Sequence, residues 1–321
     1  MQAVVVQQLG DVPRFTQFHD PDLRAGEILV RVCAAVIRPA DLAIARGHHA
    51  CMPLELPYVC GRDGVGYLAD GRRVYFRAGR SPFGAMAEYV PAEWVVPVPH
   101  AVDSAAAAAL VGPALAAWLP LGARADLAPG ETVLILGASG LAGRLAVQSA
   151  RLQGAGRIIV AAHRIDLPAM TEADAQIDLG QAPSLLQHAF ATHAADGIDV
   201  VLDFVWGETL ELLLSALVQA GGEPALPADH GTRVVSVADR RAGSVMLAPA
   251  ALRDSRAVLM GCGPANHPPA EDLRFLVEDV LGCMHADYLS IDAPEQVPMR
   301  DVAVAWRRAG EPGLCVVLTL D

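Results

Sequence analysis

The stretch Glu131–Ala162, ETVLILGASGLAGRLAVQSARLQGAGRIIVAA, decides the fold. It opens on an apolar run, Val133-Leu134-Ile135-Leu136, the length of a strand buried in a parallel sheet. A glycine turn follows, with Gly137, Gly140 and Gly143. Leu141, Leu145, Ala146, Ser149 and Leu152 then recur at helical spacing. Gly154 and Gly156 end that helix, and Ile158-Ile159-Val160 starts a second strand. Strand, glycine turn, helix and strand within about 30 residues make the βαβ unit that binds dinucleotides. In such a unit Gly140 lets the backbone approach a pyrophosphate, and Gly143 lets helix and strand pack closely. The helix N-terminus adds unpaired N–H groups and a partial positive charge. Gly137, Ala138, Ser139, Gly140, Leu141, Ala142 and Gly143 are therefore candidate cofactor-binding residues. Glycine turns also serve as plain connections; the strand and helix on either side favour binding here.

The chain has 321 residues, enough for two well-buried domains. Its composition is 53% hydrophobic with a mean hydropathy of +0.34, yet no unbroken apolar run has membrane-spanning length. The alanine run Ala105–Ala109 is short and lies near Pro113, so it reads as a packed helix. The start, MQAVVVQQLGD, lacks a basic region followed by a signal-type core, and no export is expected. Net charge is −12, and all 24 basic residues are Arg. With no Lys, Schiff-base lysine chemistry and a lysine-based phosphate loop are excluded. The acidic balance argues against general nucleic-acid affinity. Cys33, Cys51, Cys60, Cys262, Cys283 and Cys315 are scattered without CxxC pairs. A reduced, cytoplasmic protein with buried thiols and no membrane partner is the expectation.

Residues 1–119 give short extended runs broken by Gly and Pro: Ala3–Val6, Ile28–Val32, Gly66–Leu68, Arg73–Phe76, Ala87–Val90 and Trp94–Val98. That spacing predicts a compact, mostly antiparallel β domain, left through a helix over Ala105–Leu121. From residue 131 strands and helices alternate, which predicts a parallel sheet. Strands are expected at Ala173–Leu179, Ile198–Phe204, Arg233–Val237 and Ala257–Met260, with helices at Ser184–Thr192 and Thr209–Gln219. Six strands in two halves complete a doubly wound α/β fold. Residues 219–232, QAGGEPALPADHGT, read as a long loop. Helices around Ala270–Met284 and Asp301–Arg308 precede a final apolar strand, Cys315–Leu320, which must be covered. The first domain's β structure can cover it, so that domain is expected to be discontinuous, residues 1–119 with 265–321, around a cofactor domain at 120–264.

Several segments together resemble one family: GEILVRVCAAVIRPADL, LPYVCGRDGVGYL, RVYF with FGAMAEY, ETVLILGASGLAGRLAVQSARLQGA, GIDVVLDFVWGETL, MRDVAVAW and GLCVVLTLD. In this order they resemble the medium-chain dehydrogenase/reductases, and the turn GASGLAG resembles their zinc-independent quinone oxidoreductase branch. The resemblance implies a GroES-like catalytic domain, a Rossmann NADP-binding domain, an active site in the cleft between them, and a homodimer. Zinc-dependent relatives have a cysteine where this chain has Arg38 and a His-Glu pair where it has Arg62-Asp63, with a third ligand near Gly112. A guanidinium offers zinc no lone pair, so no catalytic metal is expected. The weaker metal alternative is His48-His49-Ala50-Cys51 with Cys60.

An NAD-preferring domain places a carboxylate at the end of its second strand, about 20 residues past the turn. Here that place holds Ala161-Ala162-His163-Arg164. Arg164 can clamp a 2′-phosphate with His163 as a further donor. Such contacts are worth about 1.5–3 kcal/mol, roughly tenfold to over a hundredfold in affinity. The other reading is a surface Arg paired with Asp166. NADP(H) is the expected cofactor. Asp203, Val205, Trp206 and Val237 stand at or just past the carboxyl ends of their strands, where ligands bind in open α/β sheets. The Trp206 ring can stack on an acceptor or cap the sheet.

Without a metal, hydride transfer suits an acceptor that is already electron-poor, such as a quinone or an α,β-unsaturated carbonyl. Arg38 and Arg62 are the candidates to polarise the acceptor's oxygen. The alternative for Arg38 is an internal ion pair with Asp41 or Asp63. Tyr75 can donate its hydroxyl or serve packing, and Tyr58 is a weaker version of the same idea. Ala116 removes a threonine, and Leu314 a basic residue, that relatives often carry. Two other readings stay open: an enoyl-thioester reductase whose carrier phosphate meets Arg72, Arg73, Arg77 and Arg80, and a non-catalytic NADPH-binding protein.

Overall fold

The central strand of one sheet is β8, Thr132–Leu136, whose residues from Val133 to Leu136 are fully buried. A run of Val, Leu and Ile with no polar face can only sit inside a sheet covered on both sides. The computed structural model describes residues 1–48, 55–163, 172–221, 231–238, 243–263, 266–311 and 313–320. The chain divides into two units, Met1–Gly112 with Pro269–Asp321, and Pro113–Pro268.

In the second unit β8 is flanked by β9 (Arg157–Ala162) and β11 (Val200–Asp203), all parallel. With β10 (Ala175–Asp178), β12 (Arg233–Ser236) and β13 (Val258–Gly261), the order is β10-β9-β8-β11-β12-β13. The order runs outward from β8 in both directions, which is the doubly wound Rossmann arrangement. Its switch point lies between β8 and β11, so the turns after those two strands share one edge. Helices α3 (Leu141–Leu152), α4 (Pro183–Asp196), α5 (Glu208–Gly221) and the short α6 (Pro249–Arg253) connect the strands. Leu134, Leu136, Phe190, Val201, Leu213 and Leu217 form the apolar core under α4 and α5. Arg233 pairs with Glu131 and donates to the Asp126 carbonyl at 3.1 Å, tying β12 to the segment that leads into β8.

The first unit is mostly antiparallel β. Strand β3 (Ile28–Ile37) pairs with β7 (Tyr89–Pro97) through its first half and with β5 (Asp63–Tyr67) through its second. Strand β5 pairs with β6 (Arg73–Ala78), and β6 with β7, which closes the ring. The β3–β5 pairing shifts register at an irregularity between Val32 and Ala34. Strand β15 (Val316–Thr319) pairs antiparallel with β3, and β14 (Glu295–Pro298) pairs with β15. A smaller sheet, β2-β1-β4, joins Arg14–Gln17, Gln2–Val6 and Tyr58–Val59. Helix α1 (Pro39–Ala45) follows β3 directly, and α7 (Ala270–His285) and α8 (Val302–Arg308) belong to the same unit.

Three expectations need correction. The runs read as two strands, Ala87–Val90 and Trp94–Val98, are the single strand β7, in which Pro91 sits opposite Leu29. The helix expected over Ala105–Leu121 is α2 (Ser104–Leu119) followed by a π-turn, Pro120–Arg124. Together they make a stretch of 21 residues apolar enough to cross a membrane, contrary to the reading that none exists. Its apolar window is 61% buried inside the structure, as in a core helix. Most of the expected loop at 219–232, residues 222–230, lies outside the described residues.

Candidate functional site

The glycine turn begins where β8 ends. Gly137 has φ +87°, and its N–H donates to the Ala161 carbonyl on β9 at 2.8 Å. Only glycine takes that conformation without strain, and a Cβ there would press on Val205 Cγ2 at 2.9 Å. Ala138 is fully buried and its N–H also faces the Ala161 carbonyl, at 3.3 Å. These two residues shape the turn. Gly140 is the N-cap of α3, with no side-chain cap, and accepts the first helical bond from the Arg144 N–H at 2.9 Å. The N–H groups ahead of Arg144, from Leu141 to Gly143, have no partner within the helix. The Gly143 Cα faces the turn so closely that a Cβ would lie 2.7 Å from Ala138 Cα and nearer still to the Gly137 carbonyl oxygen. Glycines at 137 and 143, with an uncapped helix start beside them, form a backbone cradle of the right chemistry for a pyrophosphate.

Asp203 ends β11 at the switch-point edge, but its carboxylate turns inward. Oδ1 accepts the Val205 and Trp206 N–H groups, each at 2.9 Å, and Oδ2 is buried without a hydrogen bond. Burial raises its pKa, and the two backbone N–H groups work against that. The carboxylate fixes the turn that carries Trp206 at φ +62°. The Trp206 ring, half-buried, packs against the apolar core of its own unit. The Val237 N–H donates to the Asp203 carbonyl at 2.9 Å. His163 is exposed just past β9, and Arg164 and Asp166 lie outside the described residues.

The second group is built on the first unit. Arg38 caps α1 and follows β3, Asp63 opens β5, Tyr75 lies in β6, and Gly112 lies in α2. The Arg38 Nη2 donates to Asp63, and the buried Tyr75 hydroxyl interacts with both of them. Tyr75 is 1% exposed, Asp63 8%, while the Arg38 side chain keeps 22% of its surface. The ion pair with Asp63 that the sequence left open is thus formed. Tyr75 does not reach solvent: its hydroxyl is engaged by Arg38 and Asp63, and its ring packs 6.4 Å from that of Trp94. Burial opposes the Arg38 charge most strongly, but Asp63, Tyr75 and Asp41 together outweigh it and the guanidinium pKa rises. Burial pushes the Tyr75 hydroxyl up, with the Asp63 charge adding to it.

Asp41, the other acid considered, accepts the Arg38 backbone N–H at 2.8 Å in a capping box. Burial pushes its pKa up to about 6, against the Arg38 N–H and charge. Folded Asp41 therefore takes up a proton before the unfolded chain does. Its contribution to stability is full below about pH 4 and falls as pH rises through about 6. Asp41→Asn keeps an acceptor for the Arg38 N–H and removes the buried charge. It is expected to stabilise the protein at pH 8 by on the order of 3 kcal/mol, at 1.36 kcal/mol per pKa unit, and by nothing at pH 4. Thermal unfolding at both pH values checks this; equal gains at pH 4 and 8 refute the assignment.

Arg62 is exposed beside Asp63, and its charge lowers the Asp41 pKa. The Tyr58 hydroxyl is buried without a hydrogen bond. Fit to zinc fails on chemistry: at the three positions stand a guanidinium, a carboxylate engaged by it, and a glycine with no donor. Among the described residues no three His, Cys, Asp or Glu group as metal ligands. His49 and Cys51 lie outside the described residues, and Cys60 is 2% exposed with its thiol pKa raised by burial. In the basic cluster offered for a carrier phosphate, each arginine has an acceptor of its own. Arg72 pairs with Asp70 at 2.7 Å, Arg77 with Glu93 at 3.5 Å and Arg80 with Glu27 at 2.8 Å. Arg73 donates to the Pro99 and Val102 carbonyls, both at 2.7 Å. What sequence reading missed is that Gly112 packs against Arg38; the only signal was its place near a relative's metal ligand.

No protein-family model matches the chain. Over 144 residues it is 37% identical to the quinone oxidoreductase of Sus scrofa, a match covering 42% of this chain and 44% of that protein. Over 213 residues it is 32% identical to the phenolphthiocerol synthesis polyketide synthase type I Pks15/1 of Mycobacterium bovis, covering 62% of this chain and 10% of that protein. The chain thus spans less than half the length of these curated relatives. Its structure is similar to that of the quinone oxidoreductase from Thermus thermophilus, also solved in complex with NADPH. The TM-score is 0.75 and the identity 27%, over 100% of both chains. With a Rossmann sheet, a closed mostly β unit that recruits the last strand, and these likenesses, the chain has the fold of the medium-chain dehydrogenase/reductases and resembles their quinone oxidoreductases.

Proposed function

We propose that the chain is an NADPH-dependent oxidoreductase that reduces a quinone or an α,β-unsaturated carbonyl without a catalytic metal. The observation that carries this reading is the pairing of two features: a backbone cradle at Gly137–Gly143 and a buried, charged arginine in place of metal ligands. NADPH, when bound, supplies a hydride. Ser139, Gly140, Leu141 and Ala142 would hold its pyrophosphate by backbone N–H groups, and Gly137, Ala138 and Gly143 keep the turn tight enough for that. His163 and Arg164 would meet the 2′-phosphate, because no carboxylate stands at the end of β9 to bond an unmodified ribose. Asp203, Val205 and Val237 build the neighbouring wall of the same edge through the bonds of the Asp203 carboxylate and carbonyl.

On the other unit Arg38 is the charged donor for the acceptor's oxygen, with Asp63 and Tyr75 holding it and Arg62 nearby at the surface. Quinones and enones fit such a site, because negative charge developing on their oxygen needs a hydrogen-bond donor and no Lewis acid. Similarity to a segment of a polyketide synthase favours an enoyl thioester as the second reading. The pairing of Arg72, Arg73, Arg77 and Arg80 with their own acceptors weighs against a phosphate-bearing carrier.

The test is a titration with NADPH and NADH, followed by NADPH oxidation on a panel of quinones, enones and an enoyl thioester. NADPH binding at least about tenfold tighter than NADH is expected, given one added charged contact. Turnover is expected on a quinone or enone. Equal affinities remove the role of Arg164, and binding without turnover on any acceptor replaces the enzyme by a cofactor-binding protein.

A further inference from the structure

We propose that Gly112 and Tyr75 are positioning residues for Arg38. They hold its guanidinium in one pose, as a fixed cationic donor for the oxygen of the acceptor that becomes negative. This rests on the function proposed above, and names the chemistry of its acceptor pole.

Two observations carry it. The first is steric. A Cβ at position 112 would overlap the Arg38 guanidinium, inside contact with Nη2 and Cζ and 2.9 Å from Nη1. The three atoms nearest to such a side chain all belong to the tip of Arg38 itself. A helix interior disfavours glycine, so a residue there with no side chain makes room for the guanidinium at some local expense. The second is the bonding. Asp63 takes Nη2, the buried Tyr75 hydroxyl interacts with both partners, and the Arg38 Nε is buried without a hydrogen bond. A long side chain on a flexible stem is thereby confined by a glycine on one side, a carboxylate and a phenol on another. The side chain, which keeps 22% of its surface open, is thus held in one pose.

The step balances as follows. Hydride adds to the carbon conjugated with the carbonyl, carrying two electrons and one proton. The π pair moves onto the carbonyl oxygen, whose negative charge pairs with the guanidinium. A proton from water then completes the reduced product, and Arg38 keeps its own proton throughout.

The test is a cycle with two readouts on the full chain. Gly112→Ala forces the guanidinium off Asp63, so it should lower the melting temperature in the wild-type background. In an Arg38→Ala background, where the space is empty, it should lower nothing further. With an active acceptor, Gly112→Ala should cut kcat about 100-fold and Tyr75→Phe about tenfold, while the KM for NADPH stays within about twofold. If Arg38→Ala does not fold, Arg38→Gln serves as the empty background; if Gly112→Ala does not fold, Tyr75→Phe carries the kinetic arm. Additive melting shifts, or a wild-type kcat in Tyr75→Phe, overturn the proposal. An inactive wild type on every acceptor sinks the functional reading itself, and is told apart because the melting cycle still reports whether Gly112 holds Arg38.

Discussion

Gly143→Val is expected to abolish NADPH binding and to destabilise the second unit by about 3 kcal/mol or more. The reason is the identity of the atoms a side chain would meet. A Cβ on Gly143 would lie 2.7 Å from Ala138 Cα, 3.0 Å from Ala138 C and closer still to the Gly137 carbonyl oxygen. All three belong to the backbone of the turn, which is fixed to β9 by the Gly137 N–H. Helix α3 must therefore move off β8, and overpacking of this kind costs about 1–3 kcal/mol even where side chains can yield. The moved helix start carries the N–H groups proposed to hold the pyrophosphate, so affinity should fall by more than about 100-fold. Gly156→Ala is the control. Its Cβ would meet backbone Gly130 Cα and C, both at 2.9 Å, at the opposite end of α3. It should lower the melting temperature and leave NADPH affinity, measured below the transition, near the wild-type value. Wild-type affinity in folded Gly143→Val would remove the glycine turn from the cofactor site.

The difference between Gly143 and Gly112 shows how much of the site was legible in the sequence. Gly143 belongs to a local pattern, strand, turn and helix, and its role follows from neighbours only a few residues away. Gly112 acts on a side chain 74 positions earlier in the chain, and nothing near it says so. The same distinction runs through the fold. The buried strands β8, β9 and β11 announce themselves by unbroken apolar runs. Strands β2, RFTQ, and β14, EQVP, carry too little apolar character to be seen, because each lies at the margin of its sheet. Helix α1, PADLAIA, is seven residues and opens on proline, so it reads as a loop until Asp41 is seen capping it. Pro91 split β7 in the sequence, since a proline ends most strands; here it is held opposite Leu29. Asp41 and Asp63 were equally plausible partners for Arg38 by composition. The fold gives Asp41 the backbone N–H and Asp63 the guanidinium, because the strand register brings β5 and β6 under the end of β3.

Arg38→Met is expected to cost about 3–5 kcal/mol of stability, the usual penalty for leaving one partner of a buried ion pair alone. Met keeps the stem but removes the guanidinium, so the loss combines the stranded carboxylate with the space the guanidinium filled beside Gly112. Asp63 is 8% exposed and would lose its cation, retaining only the Tyr75 hydroxyl. Adding Asp63→Leu removes the stranded carboxylate and should return most of that loss, since buried pairs replaced by apolar groups are often neutral. It leaves the Tyr75 hydroxyl buried without either partner, a cost of about 1–3 kcal/mol. Adding Tyr75→Phe removes that as well. The triple variant should melt close to the wild type, while each single change at Arg38 or Asp63 melts well below it. That order separates folding from chemistry. A stable triple variant without the guanidinium should bind NADPH as the wild type does, because the cofactor turn lies on another unit. Its kcat on a quinone or enone should fall by about 100-fold to 1,000-fold, the loss that follows removal of one charged donor at a developing oxyanion. A triple variant that is stable and fully active would show that Arg38 stands where metal ligands stand in relatives only to fill the space. The acceptor would then be reduced without help from the first unit's charge.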